Sequence, residues 1–212
     1  MSLKSELQNI ISGNGEVRNG KTIQTINHYL RREKKAIFGT EKAKFLKTQE
    51  TKILINYIEK NNLWFTHLDE TNYVGEGAEQ KIYEYFDAEY VIKLNDSIFY
   101  EFWKDYFNNL LIHNFFFSHL AYELLGFYKS ELKLFAVVKQ PYVRSSEITE
   151  LDNVKIFLTE NGFINKRAND YYQPELGIIV EDLHDENVLT KDGTLHFIDT
   201  VFFLTTSFFD ED

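Results

Sequence analysis

The hydrophobic period of this chain changes once, near Trp64, and that change limits the fold more than any other feature. Before it, apolar residues recur at helical spacing. Leu3, Leu7, Ile10 and Ile11 make one stripe, closed by Gly13 and Gly15; Ile23, Ile26 and Leu30 make a second; Phe45, Leu46, Ile53, Leu54, Tyr57 and Ile58 make a third, longer one. After it, "NYVGEGAEQKIYEYFDAEYVIKL" has two glycines and then alternating residues, which predicts three short strands in a meander. A helix is expected over 98–117, and a hairpin over 121–143 that turns near Lys129-Ser130 and stops at Pro141. A helix over 148–161 is closed by Gly162, and a last hairpin turns at Lys191-Asp192-Gly193. The order predicts an α+β fold. Residues 1–62 form a helical, basic extension, 63–138 a lobe of antiparallel sheet and one main helix, and 139–212 a connector with a minimal second lobe.

Composition narrows the function classes. With 43% hydrophobic residues, 19 Phe and 13 Tyr, the chain has ample material for a packed core. No cysteine is present, which excludes disulfides, thiolate zinc sites and a Cys nucleophile. The start "MSLKSELQNI" lacks an apolar run, and the most apolar stretch, 110–127, is broken by His113, Asn114, Ser118, His119 and Glu123. A cytoplasmic protein without a membrane partner is expected. The net charge of −10 argues against general nucleic-acid binding. Its distribution is uneven: 12 Lys+Arg against 6 Asp+Glu in residues 1–62, and 11 against 27 in residues 63–212. A basic helical segment packed on an acidic body accounts for this; alternatively Arg31, Arg32, Lys34 and Lys35 meet a partner or a phosphate.

Three fragments carry chemistry. Gly75-Glu76-Gly77 is a turn at which backbone N–H groups can approach phosphate oxygens, although Gln80 stands where a third glycine is usual. Lys93, in "YVIKL", is a lysine inside an apolar strand, where an ammonium needs a partner; Glu101 is the nearest candidate and Asp105 lies one turn further. Asp182, Asn187 and Asp199 give D-x-x-x-x-N followed, twelve residues later, by a carboxylate closing the strand "LHFID". Phosphoryl transfer needs these types: one Asp to orient and deprotonate a hydroxyl, and an Asn and an Asp as hard oxygen ligands for Mg²⁺.

Taken together, "VGEGAEQKI", "VIK", "DLHDEN" and "FIDT" resemble, in order and spacing, the protein-kinase-like superfamily. With the "QPYV" connector they resemble the Ser/Thr/Tyr kinase-like domain found in polyvalent proteins of phages and mobile elements, over roughly residues 72–204. The resemblance implies a compact, truncated kinase-like fold and ATP·Mg-dependent transfer to a hydroxyl of a protein. It implies a nucleotide site made of Val74, Gly75, Gly77, Ile82, Lys93, Glu101, a hinge with Gln140 and Tyr142, and Leu189. Asp182, Lys93 and His184 would be catalytic, and Asn187 and Asp199 would hold the metal.

The pattern departs from that family at defined places. Val180 and Glu181 precede Asp182 instead of His and Arg, and Thr200 and Val201 follow Asp199 instead of Phe and Gly. His184 occupies a position where protein kinases carry Lys, which is similar to aminoglycoside-phosphotransferase-like kinases of small molecules. The 13 residues after Asp199 leave no room in this chain for an activation segment. Two other functions therefore stay open: a small-molecule kinase, and a pseudokinase acting as a nucleotide-binding interaction module. His113 and His119, six apart on a helix, have poor ligand spacing for a metal site, and no G-x-S-x-G supports a serine hydrolase.

Overall fold

The computed structural model describes residues 2–38, 47–77, 80–130 and 133–210. Three helices come first: α1 (Leu3–Ser12), α2 (Lys21–Phe38) and α3 (Lys47–Lys60). Phe45 and Leu46, expected in the third helix, lie outside the described residues. Ser2 caps α1 by accepting from Ser5 N at 3.1 Å. The stripes bury as their spacing requires, with Leu7, Ile11, Ile23, Ile26, Leu54 and Ile58 at 0–1% exposure.

The five-stranded sheet has the order β1-β2-β3-β5-β4, built from β1 (Tyr73–Glu76), β2 (Gln80–Glu84), β3 (Tyr90–Asn95), β4 (Glu123–Ser130) and β5 (Lys133–Pro141), all antiparallel. Lys129 and Ser130, near which the turn is expected, fall within β4, paired with Leu134 and Lys133. The sheet is covered on both faces. Tyr83, Ile92, Leu94, Phe135 and Val137 form a small outer core with Phe65 and Leu68. Ala136, Val138 and Phe127 join the main core on the other face. Gly126 lets the chain before the sheet lie close. A Cβ there would sit 2.6 Å from the Leu63 carbonyl oxygen, which accepts from Phe127 N at 2.9 Å.

Helix α4 (Trp103–Phe116) is shorter than the expected 98–117 and is buried on nearly every side, between the first sheet, the N-terminal helices and a later strand. Its polar residues therefore need partners, and have them. Asn108 Oδ1 accepts from Asn27 Nδ2 at 2.8 Å, Asn109 Oδ1 accepts from Phe202 N at 2.9 Å, and Asn114 exchanges bonds of 2.7 and 2.8 Å with the Tyr122 backbone. Helix α3 fixes the start of α4. Lys47, Glu50 and Thr51 share one face; Glu50 accepts from Trp103 N at 2.5 Å and Thr51 Oγ1 from Trp103 Nε1 at 3.1 Å.

After β5 come α5 (Leu151–Glu160) and six short strands: β6 (Ile164–Arg167), β7 (Asp170–Gln173), β8 (Ile178–Glu181), β9 (Val188–Lys191), β10 (Thr194–Phe197) and β11 (Val201–Leu204). The hairpin β9–β10 turns through Asp192 and Gly193, both at positive φ, as a two-residue loop requires. The strands β11-β8-β7-β6 form a further antiparallel sheet not foreseen from the sequence. β6 is exposed at all four positions, so it carries no buried alternation to read. Among the described residues, no helix is long and apolar enough to cross a membrane.

Within the basic cluster on α2, Arg31 and Lys34 are partly buried and Arg32 is exposed. The Arg31 guanidinium lies 5.8 Å over the Phe209 ring, and burial pulls its pKa down; Arg32 lies 3.6 Å from Glu33, and the Lys34 ammonium 4.5 Å over the Phe102 ring. The Lys35 side chain lies outside the described residues.

Candidate active site

Between the first sheet and β9–β10 lies a cavity of about 870 Å³, and its lining brings together residues far apart in sequence. Val74, Gly75, Gly77, Ile82, Lys93, Gln140, Tyr142, Asn187, Leu189 and Asp199 all line it. A Cβ built on Gly75 or Gly77 meets nothing within 4 Å, so the space over the turn is clear for a ligand.

Lys93 sits on β3, the third of five strands, paired with Ile82 on one side and Val138 on the other. It shares a face with Val91 and Asn95, opposite the outer-core residues Ile92 and Leu94. The residue is 3% exposed and its side chain is satisfied inside the cleft. Its Nζ donates to Ile198 O at 3.0 Å, lies 3.6 Å from an Asp199 oxygen, and is 5.5 Å from the Tyr122 ring centroid.

The expected Lys93–Glu101 pair is corrected by this geometry, as is the placing of Glu101 at the nucleotide site. Glu101 is exposed, precedes α4 and borders a different cavity with Phe99, Lys104 and Phe203. The C-terminal half of α4, not its start, lies behind Lys93. His113 is there, about 15 Å along the axis from the helix start. Asp105 pairs with Lys104 at 2.8 Å. His113 is fully buried, and desolvation, helped by Lys93 nearby, pushes its pKa down to about 3, so it is neutral.

Asp182 follows β8 with φ of 64°, a left-handed conformation uncommon for a non-glycine residue. The conformation is held on both sides: Asp182 N donates to Asp170 Oδ1 at 3.3 Å, and Asp182 O accepts from His184 N at 3.0 Å. Asn187 Nδ2 donates to the Asp182 carbonyl at 2.8 Å and to its carboxylate at 3.0 Å. His184 Nε2 lies 3.3 Å from the other carboxylate oxygen. Thus Asp182, His184 and Asn187 form one loop cluster, with Asn187 facing the cavity. Asp182 and His184 are beside the cavity rather than in its lining. Asp199 N donates to Asn187 O at 3.2 Å, which sets the two expected metal ligands side by side.

Gln140 differs in detail from the expected hinge contact of a nucleotide site. It borders the cavity, but its side chain is 1% exposed and donates to Leu120 O at 3.0 Å. Tyr142 lines the mouth, with the Arg144 guanidinium 5.6 Å over its ring. Sequence reading missed Arg144, Glu186 and above all Gln80. The Gln80 amide donates to the Asp199 carboxylate, joining β2 to the segment that bears Asp199. Its place in the glycine-rich pattern was the available signal.

The donor set suits a hard cation. Asn187 and Asp199 offer an amide and a carboxylate oxygen at one end of the cavity. No group of three or more His, Asp or Glu among the described residues could hold a metal by itself, so Mg²⁺ here would also need phosphate and water oxygens.

No curated protein and no solved structure matched the chain in comparison. A family model did, that of the serine/threonine/tyrosine kinase found in polyvalent proteins, over residues 47–206. The match begins at Lys47, so α3, which holds the start of α4, lies within the matched region although the motifs begin only after residue 72. With three quarters of its length matched, this chain belongs to the family of Ser/Thr/Tyr kinases found in polyvalent proteins.

Proposed function

We propose that the protein transfers the γ-phosphoryl group of ATP, with Mg²⁺, to a Ser, Thr or Tyr hydroxyl of another protein. The observation that carries this is Lys93, buried on a central strand and aimed at Asp199 across a cavity that also holds the open glycine turn. Lys93 would neutralise the phosphates, while Asn187 and Asp199 would hold the cation, which screens charge developing on the β and γ oxygens. The acceptor oxygen attacks phosphorus, the bond to the bridging oxygen breaks, and ADP leaves with that electron pair. The acceptor proton passes to Asp182, whose carboxylate is oriented by Asn187 and His184. A second reading, a small-molecule acceptor, is favoured by His184 beside Asp182. An assay with generic protein substrates and with small hydroxyl compounds separates the two.

The test is a pair of variants. Asp199→Ala should lose Mg·ATP binding measured by calorimetry. Asp182→Asn should keep that binding within about threefold and lower transfer by roughly two to four orders of magnitude. Unchanged Mg·ATP affinity in Asp199→Ala refutes the site. If wild type binds nucleotide but transfers to nothing, the protein is a nucleotide-binding module instead.

A further inference from the structure

The segment bearing Asp199 is held by four side chains. Lys93 and Tyr122 both donate to Ile198 O, at 3.0 and 2.9 Å. His113 Nδ1 meets Thr200 Oγ1 at 2.8 Å, and Asn109 Oδ1 accepts from Phe202 N at 2.9 Å. Asn109 and His113 are four residues apart, so one face of α4 grips both Thr200 and Phe202. The proton positions follow from the partners. His113 Nε2 faces the Leu120 carbonyl at 3.1 Å, which can only accept, so Nε2 carries the proton. Nδ1 is then an acceptor, and the Thr200 hydroxyl donates to it. His113 and Thr200 are 0% and 1% exposed, so water cannot replace either partner.

Resting on the reading of Asp199 as the cation ligand, we propose that His113 is a positioning residue for Asp199, acting through the Thr200 hydroxyl. The ion pair of Lys93 runs to Asp199 itself, and no described carboxylate of α4 is ion-paired with Lys93. Helix α4 therefore sets the metal-binding segment by a neutral hydrogen bond to the residue after Asp199. Lys93 differs in place, because it lines the cavity, on the side that a phosphate would enter. The bond to Thr200 lies outside that lining, between two buried side chains. Coupling runs along one helix: Glu50 holds the start of α4, and His113, in its last turn, holds the segment that carries Asp199.

The test uses Thr200→Val, which keeps the branched shape and removes the donor, and Thr200→Ser, which keeps the donor. ADP affinity is measured by calorimetry in the full chain, with Mg²⁺ and with chelator, and the ratio gives the gain due to metal. Thr200→Val should lose about tenfold of that gain, the scale for a group that orients a metal ligand, with metal-free ADP affinity unchanged. Thr200→Ser should restore it. In the ligand-free protein, hydrogen exchange of the 197–204 segment should be faster in Thr200→Val and normal in Thr200→Ser. A wild-type gain in Thr200→Val, or a loss in Thr200→Ser equal to that in Thr200→Val, overturns the inference while leaving the phosphotransfer site intact. A wild-type protein with no gain from Mg²⁺ overturns both.

Discussion

Glu50 makes the stability of this protein depend on pH in a way that one substitution isolates. Its side chain is 1% exposed, between α3 and the first turn of α4, and accepts from Trp103 N at 2.5 Å. Burial outweighs that bond and pushes its pKa from the ordinary 4.5 up to about 7. Between those two values the folded protein holds a proton that the unfolded chain has lost. Stability from this group is therefore full below pH 4.5 and is lost as pH rises through about 7. At about 1.4 kcal/mol per pH unit, the loss is about 3 kcal/mol.

His113 works in the opposite sense. Its pKa falls from 6.5 to about 3 on folding, so its contribution is full above pH 6.5 and is lost as pH falls toward 3. From pH 4.5 to 6.5 the two slopes cancel in the wild type. Glu50→Gln keeps an acceptor for Trp103 and cannot ionise. Urea unfolding followed by the fluorescence of the two tryptophans, Trp64 and Trp103, measures both proteins across pH 4.5–8. The difference should grow in favour of the variant by about 3 kcal/mol toward the alkaline end, and the variant alone should gain stability from pH 4.5 to 6.5. A difference that stays constant within about 0.5 kcal/mol over the range would refute the assignment of a buried, reluctant carboxylate at this position.

Gly177, at φ 67° between β7 and β8, leaves no room for a side chain: a Cβ would lie 2.5 Å from Phe208 N. Gly177→Ala should cost roughly 2–4 kcal/mol, read as a drop in the urea midpoint; a wild-type midpoint would show that this turn relaxes freely. Gly77→Ala meets open space and should leave the melting temperature unchanged while weakening Mg·ATP binding about tenfold, by placing a methyl group where phosphate would approach in the proposed site. Equal ATP affinity would remove the turn from the site. Lys93→Met should abolish ATP binding measured by calorimetry, whereas Glu101→Gln should match wild type; a comparable loss in Glu101→Gln would restore the pairing that the geometry rejects.

Patterns of near neighbours were legible in the sequence: helical stripes before Trp64, the strand meander around two glycines, and the Asp-Gly turn of β9–β10. Each depends on spacing within a few residues, where backbone geometry fixes which side chains share a face. Many residues of the cavity lining were legible too, because a glycine-rich strand turn, a lysine in an apolar strand and D-x-x-x-x-N stand at recognisable offsets. Partnerships across the fold were not. Glu101 was the nearest carboxylate to Lys93 in sequence, but α4 turns its far end toward Lys93, so Asp199, more than a hundred residues on, makes the pair. His113 and Asn114 read as interruptions of an apolar run, and Asn108 and Asn109, just before it, carried no signal. Only the packing of α4 on all sides shows that each is a buried connector, because a polar group is useful inside a core only where a distant strand supplies its partner. Gln80 is of the same kind. Sequence shows it only where a third glycine is usual, and the fold brings its amide to Asp199.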